Sequence, residues 1–195
     1  MNRNILLCGV GGQGTILASK ALADAAIANQ EEVKTTETIG MAQRGGSVVS
    51  HVRIGDNLHS PLIPEKKADL ILGFEPAEVV RNLRYLKEDG VVVVSKKAVK
   101  PVTASLSNSS YEGTEMIEYL NKNVKSVVVV DTDTICATCG SDKVLNVVLL
   151  GAAAATGKIG IPEEEIRKAL LERLPEKLHK MNLLAFELGE KESVK

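Results

Sequence analysis

Residues 4–9 form a short apolar run that ends in Gly9-Val10-Gly11-Gly12-Gln13-Gly14, and residues 15–29 continue as an alanine-rich helical pattern. The order strand, glycine turn, helix follows directly. Further strands are predicted over 33–38 and 47–54, with the turn Gly55-Asp56-Asn57 closing the second. Residues 68–73 read as another apolar strand. After Phe74-Glu75-Pro76 a helix is predicted in which Val79, Val80, Leu83 and Leu86 recur at helical spacing, with Pro76 at its first position and Gly90 as its stop.

The runs 91–94 and 127–130 are continuous valine, the composition of strands buried on both faces. Between them, 101–110 is polar and turn-rich, and 114–121 has the pattern of a crossover helix. The remainder is helical. Residues 141–156 are almost wholly apolar and should be buried. Residues 162–174 carry Glu163, Glu164 and Glu165 in the first turn and Arg167, Lys168 and Arg173 later, which suits the helix dipole and allows Glu163/Arg167 and Glu164/Lys168 pairs. A last helix over 176–188 stops at Gly189.

Alternating strands and crossover helices predict an α/β fold of three layers, a largely parallel or mixed sheet with helices on both faces and a Rossmann-like start. No repeat or linker divides the sequence, so residues 1–195 are read as one domain. Ligands of such sheets bind beyond the carboxyl ends of the strands. That edge should collect residues 11–14, the segment 37–46, Glu75, 95–97 and 131–133.

Composition narrows the chemistry. The 195 residues include 24 Lys and Arg against 25 Asp and Glu, a formal charge of −1, which removes the electrostatic basis for nucleic-acid binding. With no Trp, three Tyr and two Phe there is little material for an aromatic pocket. The longest apolar stretch, 144–156, is too short to span a bilayer, and residues 1–9 lack the features of a signal sequence, so neither a membrane nor export is expected and the chain is read as cytoplasmic. Three cysteines cannot supply the four ligands of a closed metal or iron–sulfur site. Cys136 and Cys139 form one C-x-x-C with no second ligand pair in view. Asp131 and Asp133 offer oxygen ligands for Mg²⁺, but the cap of a helix is the favoured role.

Gly9, Gly11 and Gly14 satisfy G-x-G-x-x-G between a strand and a helix, and Glu37 lies near the spacing expected for a ribose-binding acid. By pattern this is a dinucleotide site or only a tight turn. A sharper feature is 36–47, polar and glycine-rich, where Gln43 and Arg44 precede Gly45, Gly46 and Ser47. A guanidinium fork beside unobstructed backbone N–H groups can cradle phosphate, carboxylate or a partner's acidic chain; otherwise Gly45-Gly46 merely turns the chain into the next strand.

Together, Gly9-Val10-Gly11-Gly12-Gln13-Gly14, the run from Glu37 through Gly40-Met41-Ala42-Gln43-Arg44-Gly45-Gly46-Ser47-Val48, and Ser50-His51-Val52-Arg53 resemble the gamma-type domain of 2-oxoacid:ferredoxin oxidoreductases, and within it the indolepyruvate branch. The resemblance runs along nearly the whole chain. Ile39 departs from it, standing where the family often has histidine. The resemblance implies a small subunit that is inactive alone, carrying no cofactor of its own. Thiamine diphosphate, Mg and the 4Fe–4S clusters would sit on a larger catalytic subunit. The assembly would decarboxylate an aryl pyruvate oxidatively, pass the acyl group to coenzyme A and reduce ferredoxin. On that basis Gly11, Gly12, Gln13 and Gly14, with Gln43, Arg44, Gly45, Gly46 and Ser47, are expected to form the partner interface or a wall of the coenzyme A channel.

Overall fold

Side chains on a central strand alternate between faces, so each apolar run must be covered twice. The computed structural model, which describes residues 2–40, 45–100 and 111–193, shows how this is met. Strands β1 (Arg3–Val10), β2 (Val33–Ile39), β3 (Ser47–Ile54), β4 (Ala68–Gly73), β5 (Leu86–Ser95) and β6 (Ser126–Val130) form one sheet in the order β2-β3-β1-β4-β5-β6. Strands β1, β4, β5 and β6 run parallel, whereas β3 is antiparallel to both of its neighbours, β1 and β2.

Ile5, Leu7, Leu70, Leu72, Val91 and Val93 face one apolar layer, built with α1 (Thr15–Ala28), α4 (Thr132–Cys139), α5 (Leu145–Ala155), α6 (Glu163–Glu172) and α7 (His179–Glu192). Leu6, Cys8, Ile71, Val92 and Val94 face the other, where α2 (Pro76–Asn82) contributes Val79 and α3 (Thr114–Asn123) contributes Leu120. The three-layer α/β expectation therefore holds, with the sheet mixed. Among the described residues no helix is long and apolar enough to cross a membrane.

Two predicted helix limits are corrected, both at glycines. Helix α2 ends at Asn82, and Leu86 to Gly90 open β5 instead of finishing a helix. Gly90 is buried where an added Cβ would lie 3.0 Å from the Ala68 carbonyl oxygen, beside an irregularity in the β4–β5 register; it is a close-approach residue of a strand. Helix α7 likewise runs through Gly189, because that residue lies on α5 rather than at a helix end. The predicted helix over 141–156 begins as a 3₁₀ turn (Asp142–Val144) before α5. Arg167 of α6 pairs with Glu190 of α7, at 2.7 Å to Oε1, so its ion pair runs between helices and not along one helix to Glu163 as expected. The segment 101–110 lies outside the described residues.

The position of β3 between β2 and β1 bears on the dinucleotide reading. The strand beside β1 is antiparallel β3, so Glu37 on β2 stands two strands away from β1. There its carboxylate accepts a hydrogen bond from the buried Ser19 hydroxyl of α1, 3.1 Å away.

Candidate functional site

The carboxyl ends of β1, β4, β5 and β6, the end of β2 and the start of β3 all meet one edge of the sheet. The two glycine segments are brought together there. Gly11 N–H donates to the Gly46 carbonyl at 2.8 Å, Gly45 N–H points to the Gly11 carbonyl at 3.5 Å, and Gly40 N–H donates to the Ser47 carbonyl at 2.8 Å. Gln43 and Arg44 lie outside the described residues.

Within the first segment the roles divide. Gln13 turns inward: its Oε1 accepts from Val10 N–H and its Nε2 donates to the Phe74 carbonyl, both at 2.8 Å, so it ties the end of β1 to the end of β4. Gly14 caps α1 at φ 82°, and no side chain caps the helix, which leaves first-turn N–H groups available to an anion. Gly12, at φ 100°, is exposed, and a Cβ there would meet nothing within 4 Å. Beneath the turn, Asn146 of α5 fills the space a Cβ on Gly14 would need, its Nδ2 3.4 Å from the Gly14 carbonyl. Thr15, 3% exposed, has a buried Oγ1 without a hydrogen-bond partner.

A carboxylate pair lies on the α2 side of the same edge. Glu75 caps α2 by accepting Glu78 N–H at 3.0 Å, and its other oxygen accepts the Tyr111 hydroxyl. Burial, and then this bond, push the Tyr111 phenol well above its usual range. Glu78 accepts from Ser47 Oγ at 2.6 Å and pairs with Arg81. Cys8 beneath them is held as a thiol, by burial first and by the charges of Glu78 and Glu75 second. Sequence reasoning placed Glu75 at this edge but missed Glu78, Tyr111 and Asn146. The spacing Glu75-Pro76-Ala77-Glu78, acids at the cap and the third helical position with Pro between, is the signal that was available.

At the far end of the edge, Asp131 caps α4, accepting Thr134 N–H at 3.2 Å, and Asp133 holds Lys97 Nζ at 2.8 Å. The cap reading of Asp131 is thus seen directly. Among the described residues no three His, Cys, Asp or Glu side chains converge as around a metal ion. Cys136 and Cys139 line the core under α4, on the opposite face of the sheet from Cys8. Burial, followed by nearby Asp142, pushes the Cys136 thiol up to about 11. At pH 8 only roughly one Cys136 in a thousand is then thiolate, the reactive form. Iodoacetamide on the native chain should therefore modify half-buried Cys139 first, and Cys136 only as the pH approaches 11. Mass spectrometry of the modified peptides checks this, and equal labelling of the two at pH 8 would contradict it.

The family model described as pyruvate ferredoxin/flavodoxin oxidoreductase matches residues 4–192. The indolepyruvate oxidoreductase subunit IorB of Methanothermobacter thermautotrophicus is 38% identical over 190 residues, covering 97% of this chain and 96% of its own. That of Thermococcus kodakarensis is 36% identical over 193 residues, covering 96% and 94%. Among solved structures, the gamma subunit of a keto/oxoacid ferredoxin oxidoreductase from Geobacter sulfurreducens superposes with a TM-score of 0.72 at 27% identity, covering 98% of each chain.

Proposed function

The chain belongs to the pyruvate ferredoxin/flavodoxin oxidoreductase family, and we propose that it is the small subunit of an indolepyruvate:ferredoxin oxidoreductase, inactive without its larger partner. The complex would work in the cytoplasm, oxidatively decarboxylating an aryl pyruvate, transferring the acyl group to coenzyme A and passing two electrons to ferredoxin. Residues 1–195 act as one gamma-type domain.

The observation that carries this reading to particular residues is the bond from Gly11 N–H to the Gly46 carbonyl, which makes one surface of the two segments that resemble the family. The start of α1 behind Gly14 supplies uncapped helix N–H groups, and Gly12 leaves the approach open. This donor set fits the pyrophosphate of coenzyme A. Gly45, Gly46 and Ser47 would form the facing wall or the contact with the partner; Gln43 and Arg44, outside the described residues, join this assignment on the family resemblance alone.

The described residues do not fit an iron–sulfur cluster. Cys8 is buried on one face of the sheet, Cys136 and half-buried Cys139 lie on the other, and none has converging ligands among the described residues. On the family resemblance, thiamine diphosphate, its Mg and the clusters would be held by the larger subunit, which would supply the carbanion and electron-transfer chemistry. This chain's part is to bind, orient and enclose.

An anaerobic assay of indolepyruvate- and coenzyme A-dependent ferredoxin reduction tests the division of labour. The larger subunit alone should be inactive, with turnover restored at one equivalent of this chain. Full turnover by the larger subunit alone would reject it.

A further inference from the structure

Glu75 and Glu78 are the only buried acidic residues among those described, each 2% exposed. Removing a carboxylate from water is costly unless hydrogen bonds hold it, so where its oxygens point is informative. The Glu78 N–H is capped by Glu75, yet the Glu78 side chain does not return to the start of α2. It crosses to another element. One oxygen takes the Arg81 guanidinium, whose side chain is largely exposed, and the other takes Ser47 Oγ at 2.6 Å.

Ser47 is the first residue of β3 and pairs in register with Val10, the last of β1. Its carbonyl accepts Gly40 N–H, and its neighbour Gly46 accepts Gly11 N–H. Backbone bonds alone leave this junction on two glycines, the residues with most freedom to move. The Ser47 hydroxyl is its side-chain anchor, and the group it is anchored to is Glu78.

We propose that Glu78 is a positioning residue: its buried carboxylate, acting through Ser47, fixes Gly45-Gly46 against Gly11 and so sets how the two glycine segments meet. The inference deepens the functional reading above, in which those segments meet coenzyme A. It does not depend on that reading for its primary test.

Amide hydrogen exchange of the full chain reads the loop contact directly. In Ser47→Ala and in Glu78→Ala the Gly11 amide should exchange about tenfold faster, the effect of losing one hydrogen bond to a charged group, while amides in β4 and β5 keep their rates. The double variant should add nothing further. Glu78→Gln, whose amide oxygen still accepts from Ser47, should restore most of the protection. If Glu78→Ala fails to fold, Ser47→Ala carries the test, since it deletes one oxygen from an exposed residue. An unchanged Gly11 rate in Ser47→Ala, or a rise shared equally by β4 and β5, overturns the proposal.

In the assembled enzyme, Glu78→Ala should raise KM for coenzyme A severalfold and Glu78→Gln should bring it back, a rescue that neither simple destabilisation nor a direct Ser47 contact with coenzyme A produces. Faster Gly11 exchange with an unchanged KM would uphold the positioning role and reject the coenzyme A assignment.

Discussion

Gly151→Ala is expected to destabilise the chain by about 3 kcal/mol or more, enough to threaten folding at ordinary temperatures. Alanine is the better helix former, by about 1 kcal/mol at an interior position, so helix propensity alone gives the opposite sign. Packing decides. A Cβ on Gly151 would lie 2.2 Å from the Phe186 carbonyl oxygen of α7, and one on Gly189 would lie 2.0 Å from the Val148 carbonyl oxygen of α5. The two helices meet backbone to backbone, and neither clash can be relieved by turning a side chain. Residues Leu145 to Ala154 of α5 are all buried, so the helix cannot retreat without opening the core. A urea melt measures the effect. Gly157→Ala is the control, because it has φ 69° and open space, and it should cost only the 1–2 kcal/mol or so of a left-handed backbone. A midpoint for Gly151→Ala at or above that of the unaltered chain would show that the helices do not touch as described.

Gly12→Asp should do the reverse, sparing the fold and damaging the enzyme. With nothing within 4 Å of the new Cβ, the cost to stability is the strain of φ 100°, about 1–2 kcal/mol. The carboxylate, however, is introduced at the uncapped start of α1, where it competes for the N–H groups assigned to a phosphate and repels that anion. A loss of roughly 100-fold in kcat/KM for coenzyme A is expected, about 2.7 kcal/mol of binding. Gly12→Ala, with the same strain but no charge, should lose less than tenfold. Titrating coenzyme A against the assembled complex of each variant measures both. Equal kinetics for Asp and Ala would remove the anion from this turn.

Sequence and structure agree best where local chemistry is decisive. The strand, glycine turn and helix over β1 and α1, and the limits of β3 and β4, follow from apolar runs bounded by turn residues. Asp131 as a helix cap rests on the same kind of short-range preference. Gly90 and Gly189 were misread because glycine ends a helix for one reason and admits a close neighbour for another, and the neighbours, Ala68 and Val148, are distant in sequence. Arg167 and Glu190, Glu78 and Ser47, and Asn146 beneath Gly14 are tertiary pairings with no periodic signal. The place of β3 between β2 and β1 was equally hidden, and it is what moves Glu37 away from the position a dinucleotide-binding acid would hold.

The central claim is that this chain completes an enzyme whose cofactors lie elsewhere. Anaerobic co-purification from the native source, with iron and thiamine measured in the complex and in the separated chain, tests it most directly. The account predicts a larger partner that carries both cofactors, and none on this chain. Recovery of the chain alone, as a monomer or homodimer with a bound nucleotide, would contradict it and make the glycine turn a dinucleotide site after all.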